Sequence, residues 1–512
     1  MSPLTLLRLG LAGTRVDTVR VLLTVLSSAL AGLSVLAAFN VLAIGPLASG
    51  HSDMLAQQYS NALLREPGLR PGVIITLVLL TLPVFALAGQ CVRLGAPARD
   101  RRLAAIRLAG ATPRQAVAVA AAETGVAALI GAVLGLAVYL VGHRLLDRPD
   151  ALGKLALPTD VFPPVWQTVA GVAAIPFVAA LAAALVMRRV FVSPLGVVRR
   201  ARRERPPAIW AGLVLAAGIG LFAAMGPLGR YTEKLKITWL VDTYGYFVYA
   251  GAVLSALGIV LGTGWVSYTT GRLLHRFARR PATLLAARRL MADPWNGSRT
   301  LAVLLVCVLF GAGVAWVRSW FATENLVSAR YQRMVDPSME VTVDPFYMRT
   351  LDLLDAAVLV GIALTACGML VALVDSILTR RRAYASLVAT GVPRAVLARS
   401  ILWQAVIPAV PAIAVALAVG AGLMHTIASE ARAGGGDRET CLVTEEQCNN
   451  TPTTDPTVWS VEYQPEVRLT IPVPWTELAL NGGIALAAVV AIVAIGLIFL
   501  RSSTELEEIR TT

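Results

Sequence analysis

Charge is scarce in this chain. Asp, Glu, Lys and Arg make up only 15% of the residues, hydrophobic types make up 56%, and mean hydropathy is +0.69. With so little polar surface, 512 residues cannot form a water-soluble globule, so the chain reads as an integral membrane protein. Lysine is almost missing, confined to Lys154, Lys234 and Lys236, so arginine has to carry any positive bias of the loops. Histidine occurs only as His51, His143, His275 and His425, scattered, with no H-E-x-x-H pair and no Cys/His cluster at ligand spacing. These gaps leave no metal site and no catalytic constellation. The G-x-x-x-x-G-K-[ST] phosphate loop is also absent, so any ATP that drives the protein is bound by another polypeptide. Of the five cysteines, Cys91, Cys307 and Cys367 lie in or beside apolar runs and read as packing residues. Cys441 and Cys448 share a polar loop and read as a disulfide.

What is abundant is apolar sequence in long runs. Ten of them, near 21–47, 71–92, 116–142, 166–187, 209–226, 246–268, 299–320, 353–378, 396–424 and 480–500, are long enough to cross a hydrocarbon core of about 30 Å. The first follows Arg8, Arg15 and Arg20 and exceeds the apolar length of a cleaved signal peptide, so it reads as a retained span. Arginines crowd the loops 93–115, 188–208, 269–298 and 379–395, whereas the intervening loops mix signs or carry Glu324, Asp336, Glu340 and Asp344. By the positive-inside rule the arginine-rich loops and both termini are cytosolic. The same clustering argues against nucleic acid as the reason for the net charge of +14. Outside, the segments 48–70, 321–352 and 425–479 are small, and the partial alternation over 459–471 predicts a short strand or hairpin in a stapled cap.

A repeat organises these runs. Arg101–Arg114 is a basic, helix-patterned stretch that ends at Gly110 and turns through Pro113 and Arg114. Arg380–Arg394 repeats it with Gly391, Pro393 and Arg394. Leu4-Thr-Leu-Leu7 resembles Ala282-Thr-Leu-Leu285, and each stretch reads as an amphipathic elbow helix before a span opened by Arg20 or Arg299. Equivalent points are separated by an even number of spans, so the copies are parallel rather than inverted. The expected organisation is a four-span unit over 1–205, a two-span hairpin over 206–270 and a second four-span unit over 271–512 that carries the loop 425–479. The expected fold class is therefore an all-α integral membrane protein of about ten helices, built as two parallel four-helix repeats with small extracellular loops.

Residues 99–142 and 380–424, together with both elbows, resemble the FtsX-like permease family of ABC transporters, in its ten-span duplicated, MacB-like mechanotransmission form. The resemblance implies a permease subunit that couples ATP hydrolysis by a separate cytosolic ATPase to export or extraction of a lipophilic or peptide-like substrate. It also allows a relay that activates an extracellular cell-wall hydrolase or sensor, and the bare residues leave open an ion-driven secondary transporter. ATPase-coupling residues carried over by position are Arg101, Arg102, Ile106, Arg107, Gly110, Pro113 and Arg114, then Arg381, Arg382, Leu387, Gly391, Pro393 and Arg394. Val388 stands where the first copy has Arg107, so the two contacts should be unequal. The implied setting is a bacterial plasma membrane, with two copies of the ATP-binding subunit holding ATP and Mg, and with membrane lipid and a two-component sensor or extracellular protein as further partners. No cofactor is expected in this chain.

Glu123 lies about ten residues beyond Pro113, roughly 15 Å along the third span, and is the intramembrane candidate. Trp403 and Gln404 occupy the matching place in the second copy, so no symmetric carboxylate pair exists. Asp352, Asp355 and Asp375 read as caps and anchors at span ends.

Overall fold

A computed structural model describes residues 15–44, 58–60, 62–65, 70–93, 112–149, 153–191, 210–235, 238–338, 346–442 and 458–502. Twelve helices of nine or more residues occur among them. Arg15–Ala43 (α1), Arg70–Arg93 (α2), Pro113–Leu145 (α3) and Val165–Phe191 (α4) come first. Trp210–Leu235 (α5) and Thr238–Phe277 (α6) form a hairpin. Pro281–Ala292 (α7), Pro294–Val335 (α8), Phe346–Thr379 (α9), Arg381–Ala389 (α10), Arg394–Ile427 (α11) and Trp475–Ser502 (α12) complete the chain. The described residues of each of the ten apolar runs fall almost wholly on one of these helices. Among the described residues, eight helices are long and apolar enough to cross a membrane. The protein is an all-α, multi-pass membrane protein.

Local sequence sets the helix ends. At α3, Thr112 accepts from the Gln115 amide, and the Gln115 side chain accepts from the Thr112 amide at 2.9 Å, with Pro113 in the first turn. Pro83, Pro176, Pro408 and Pro411 lie inside α2, α4 and α11, as neighbouring helices in a membrane protein permit.

The two halves share neighbour relations: α1 packs on α2 and α3, and α3 on α4, while α8 packs on α9 and α11, and α11 on α12. Apolar burial gives little preference for one helix face over another in lipid, so close backbone approach selects the contacts. A Cβ at Gly135 would stand 2.5 Å from the Ala29 carbonyl oxygen, and one at Gly131, a turn earlier, would meet that of Val25. These glycines seat α3 on α1. The second half buries Leu304, Leu305, Val308, Ala409, Ala416 and Val489 between α8, α11 and α12. The halves meet where α2 packs on α9, and the α5–α6 hairpin rests on α8 and α11 of the second half.

The loop predicted over 321–352 is largely helix. α8 continues to Val335, giving 42 residues and a rod of about 63 Å, and α9 already begins at Phe346. The extension persists because one face of it, at Val327 and Tyr331, is covered by the cap. That cap is a two-stranded ribbon. Glu430–Ala433 (β1) pairs antiparallel with Val467–Thr470 (β4), and Asp437–Cys441 (β2) with Trp459–Tyr463 (β3). The stretch 459–471 thus holds two strands, each paired with the preceding arm rather than with the other. Cys441 is disulfide-bonded, and Cys448 lies outside the described residues.

At the same end of the first half, Tyr59 is wholly buried and donates to Asp160 Oδ1 at 2.8 Å. Burial, reinforced by that carboxylate, pushes its phenol up to about 12.

Candidate functional site at the arginine-rich end

The second basic turn is built as a closed local structure. α10 stops at Thr390, the Val392 amide donates to the Leu387 carbonyl at 3.0 Å, and the Gly391 amide donates to that of Val388 at 2.9 Å. This is the Schellman pattern, and Gly391 holds the left-handed conformation it requires, at φ +90°. Pro393 then caps α11 and Arg394 opens it, exposed.

α10 is not a free surface loop. Tyr384 is buried with Ile377, Leu397, Ile401 and Val493, and Leu387, Val388 and Val392 pack on the same cluster. The helix therefore sits against the ends of α9, α11 and α12. Its outward residues are Ala383, Ser386, Ala389, Thr390 and Gly391, with Pro393 and Arg394 beside them. Leu387 faces the bundle, and the side chains of Arg381 and Arg382 lie outside the described set.

The Arg289 guanidinium donates to the Tyr384 hydroxyl at 2.6 Å and lies 4.9 Å from the Tyr384 ring centre. One side chain of α7 thereby holds α10 by a charged hydrogen bond and a cation–π contact. α7 itself buries Ala282, Ala286 and Leu290 and packs on α6 and α11. Sequence reading missed this pair. The partners are 95 residues apart, and neither stretch of the first copy offers an equivalent, since Leu11 and Leu103 stand at the matching positions.

In the first copy, Arg101, Arg102, Ile106, Arg107 and Gly110 lie outside the described residues, as does the first elbow. Pro113 and Arg114 open α3, with Arg114 exposed. Glu123 is half-buried on α3, one residue before the buried Thr124. No group of three or more His, Cys, Asp and Glu side chains that could hold a metal occurs among the described residues.

From this end α8 runs to the cap and is fixed to it at successive turns of one face. Trp316 Nε1 donates to the Ala428 carbonyl at 3.0 Å, and Ser319 Oγ to that of Pro472 at 2.7 Å. Val327 is buried with Ala431 and Val467, and the Tyr331 hydroxyl donates to Gln464 Oε1 at 3.0 Å. On another face Arg318 forks to Asp352 and Asp355 of α9, at 2.8 and 2.6 Å. Those carboxylates lie in the second and third turns of α9 and serve as ion-pair partners rather than helix caps. Where the halves meet, a crevice of 40 Å³ is lined by Thr76, Pro83, Cys307, Phe310, Val358 and Gly361, and all but Thr76 present apolar side chains or none.

A family model described as FtsX-like permease C-terminal matches residues 73–194 and 356–504. These segments contain α3, α4, α10, α11 and α12 and most of α2 and α9. No curated protein and no solved structure is matched.

Proposed function

Because the chain belongs to the FtsX-like permease family, the membrane component of ABC transporters that works with a separate ATPase, we propose that it is the ten-span, fused-repeat, MacB-like form of that component. In this reading 1–205 and 271–512 are the two four-span units, 206–270 is the joining hairpin, and both termini face the cytosol of a bacterium. Two ATPase copies, carrying ATP and Mg, dock on the turns at Gly110–Arg114 and Gly391–Arg394. Their closure moves the outer cap and drives export or extraction of a lipophilic or peptide-like substrate.

The observation that carries the proposal is the continuity of α8. A single 42-residue helix follows the elbow whose Arg289 grips the docking helix and ends in the cap that Trp316, Ser319, Val327 and Tyr331 hold. A force applied at α10 has a stiff route outward along α8. The same continuity favours, as a second reading, a relay in which the moving cap activates an extracellular hydrolase or sensor.

Charge reversal at Arg114 and Arg394 together should abolish co-purification with the ATPase. A complex recovered undiminished from the double variant rules the docking assignment out. Stimulated ATP turnover without substrate movement would select the relay.

A further inference from the structure

Arg272 and Arg276 on the last turns of α6, Arg279 and Arg280 in the turn, and Arg288 on α7 are all exposed. A Cβ at Gly271 would stand 2.8 Å from Leu290, so α6 and α7 run side by side and bring these arginines to one region. No acidic residue occurs between Asp242 and Asp293, and none of the five forms an ion pair among the described residues. Large apolar side chains are interleaved with them: Leu273, Phe277 and Leu284 are 59%, 69% and 43% exposed.

The arrangement has a direction. On α7, Leu284 and Arg288 share one face, a turn apart, while Ala282, Ala286 and Leu290 bury the opposite one. On α6, the stripe of Leu273 and Phe277 runs beside that of Arg272 and Arg276. The apolar span carried by α6 ends at Phe277, so the elbow starts at the membrane surface. Apolar side chains there reach acyl depth while guanidinium groups extend to the headgroups. Five guanidinium groups with no ion-pair partner among the described residues call, at that depth, for oxygen-rich counter-anions, and their planar donor forks fit phosphate. The acidic face of a soluble partner would leave Leu273, Phe277 and Leu284 uncovered, whereas a lipid supplies both phosphate and chain.

We propose that the α6–α7 elbow is a binding site for anionic phospholipids, with Arg276, Arg280 and Arg288 engaging the headgroup phosphodiesters and Phe277 and Leu284 the adjacent acyl chains. The site is independent of ATPase docking, since Arg289 and α10 contribute nothing to it.

The test is made on the full chain in nanodiscs of phosphatidylcholine and phosphatidylglycerol in equal parts, with retained lipids identified by native mass spectrometry. The wild type should retain phosphatidylglycerol with about hundredfold preference, and Arg276→Gln, Arg280→Gln and Arg288→Gln together should remove that preference, in line with a roughly fivefold contribution of each basic residue at an anionic surface. The matching triple lysine variant should keep most of it. Should the glutamine variant not fold, salt decides on the wild type, because the preference should collapse at about 1 M, where the Debye length is roughly 3 Å. The proposal is overturned by retention without headgroup preference, or by a preference that all three substitutions leave intact. It is also overturned if soluble glycerol phosphate binds as well as the lipid, or if the triple variant loses the ATPase while keeping its lipid.

Discussion

Single residues in this protein act mainly by deciding which polar groups are satisfied. The Tyr59–Asp160 contact joins the segment before α2 to the loop before α4. Its phenol is raised from 10.0 to about 12, first by burial and then by the carboxylate. The sign follows directly: the folded form holds its proton more tightly, so the stabilisation is complete below pH 10 and is lost as pH rises toward 12. Tyr59→Phe should lower stability by about 1–2 kcal/mol at neutral pH, as for a buried hydrogen bond, and should flatten the alkaline fall. Thermal unfolding in detergent at pH 7, 9 and 11 measures both, and an unchanged alkaline fall in the variant would dismiss the idea. Other decisive residues are legible in the sequence itself. Gly391 and Pro393 declare a helix stop and a helix start, and the Schellman turn supplies the physical cause. Arg289 and Tyr384 are not legible there, because neither carries a local signal and the first copy has leucine at both places.

Elements are placed by how closely backbones can approach. The length of the apolar runs located the long helices, but it could not say which faces meet, since lipid and protein neighbours are equally apolar. Gly131 and Gly135 make that choice for α3, and the spacing G-x-x-x-G is visible in the sequence without its partner being so. Gly135→Leu should force α1 and α3 apart and cost about 1–3 kcal/mol, the usual range for overpacking. Gly142→Leu on the same helix meets nothing within 4 Å and should be neutral. Equal losses of thermal stability in the two variants would show that close approach is not what seats α3. The extension of α8 past the predicted span end is the clearest element-level difference. Residues 321–335 are polar enough to read as loop, and they stay helical because Val327 and Tyr331 are covered by a ribbon more than 90 residues later in the chain.

At the largest scale, the described residues form two helix bundles joined where α2 meets α9, with a hairpin leaning on the second and a ribbon cap carried by α8. Among the described residues, the second half links the elbow helix α7 to α10 through Arg289 and Tyr384, and α8 runs on from that elbow to the cap. If the cap moves as one body with α8, loosening a single tie should release the ribbon without disturbing the bundle. Tyr331→Phe removes the hydrogen bond to Gln464, which is only 7% exposed, and should raise hydrogen exchange in 430–441 and 459–470 by about tenfold, the equivalent of roughly 1.4 kcal/mol. Protection in α11 and α12 should stay unchanged. Exchange that rises equally throughout would mean that the cap has no separate attachment.

Sequence alone determined the membrane class, the positions of the long helices, the repeated basic turns and the arginine-rich loops, because composition, periodicity and turn chemistry are local properties of the chain. Only the tertiary structure decided that α8 reaches the cap, that Arg289 grips Tyr384 and that the hairpin rests on the second bundle. Those choices depend on close approach and hydrogen bonding between segments tens of residues apart, and an apolar composition carries no record of them.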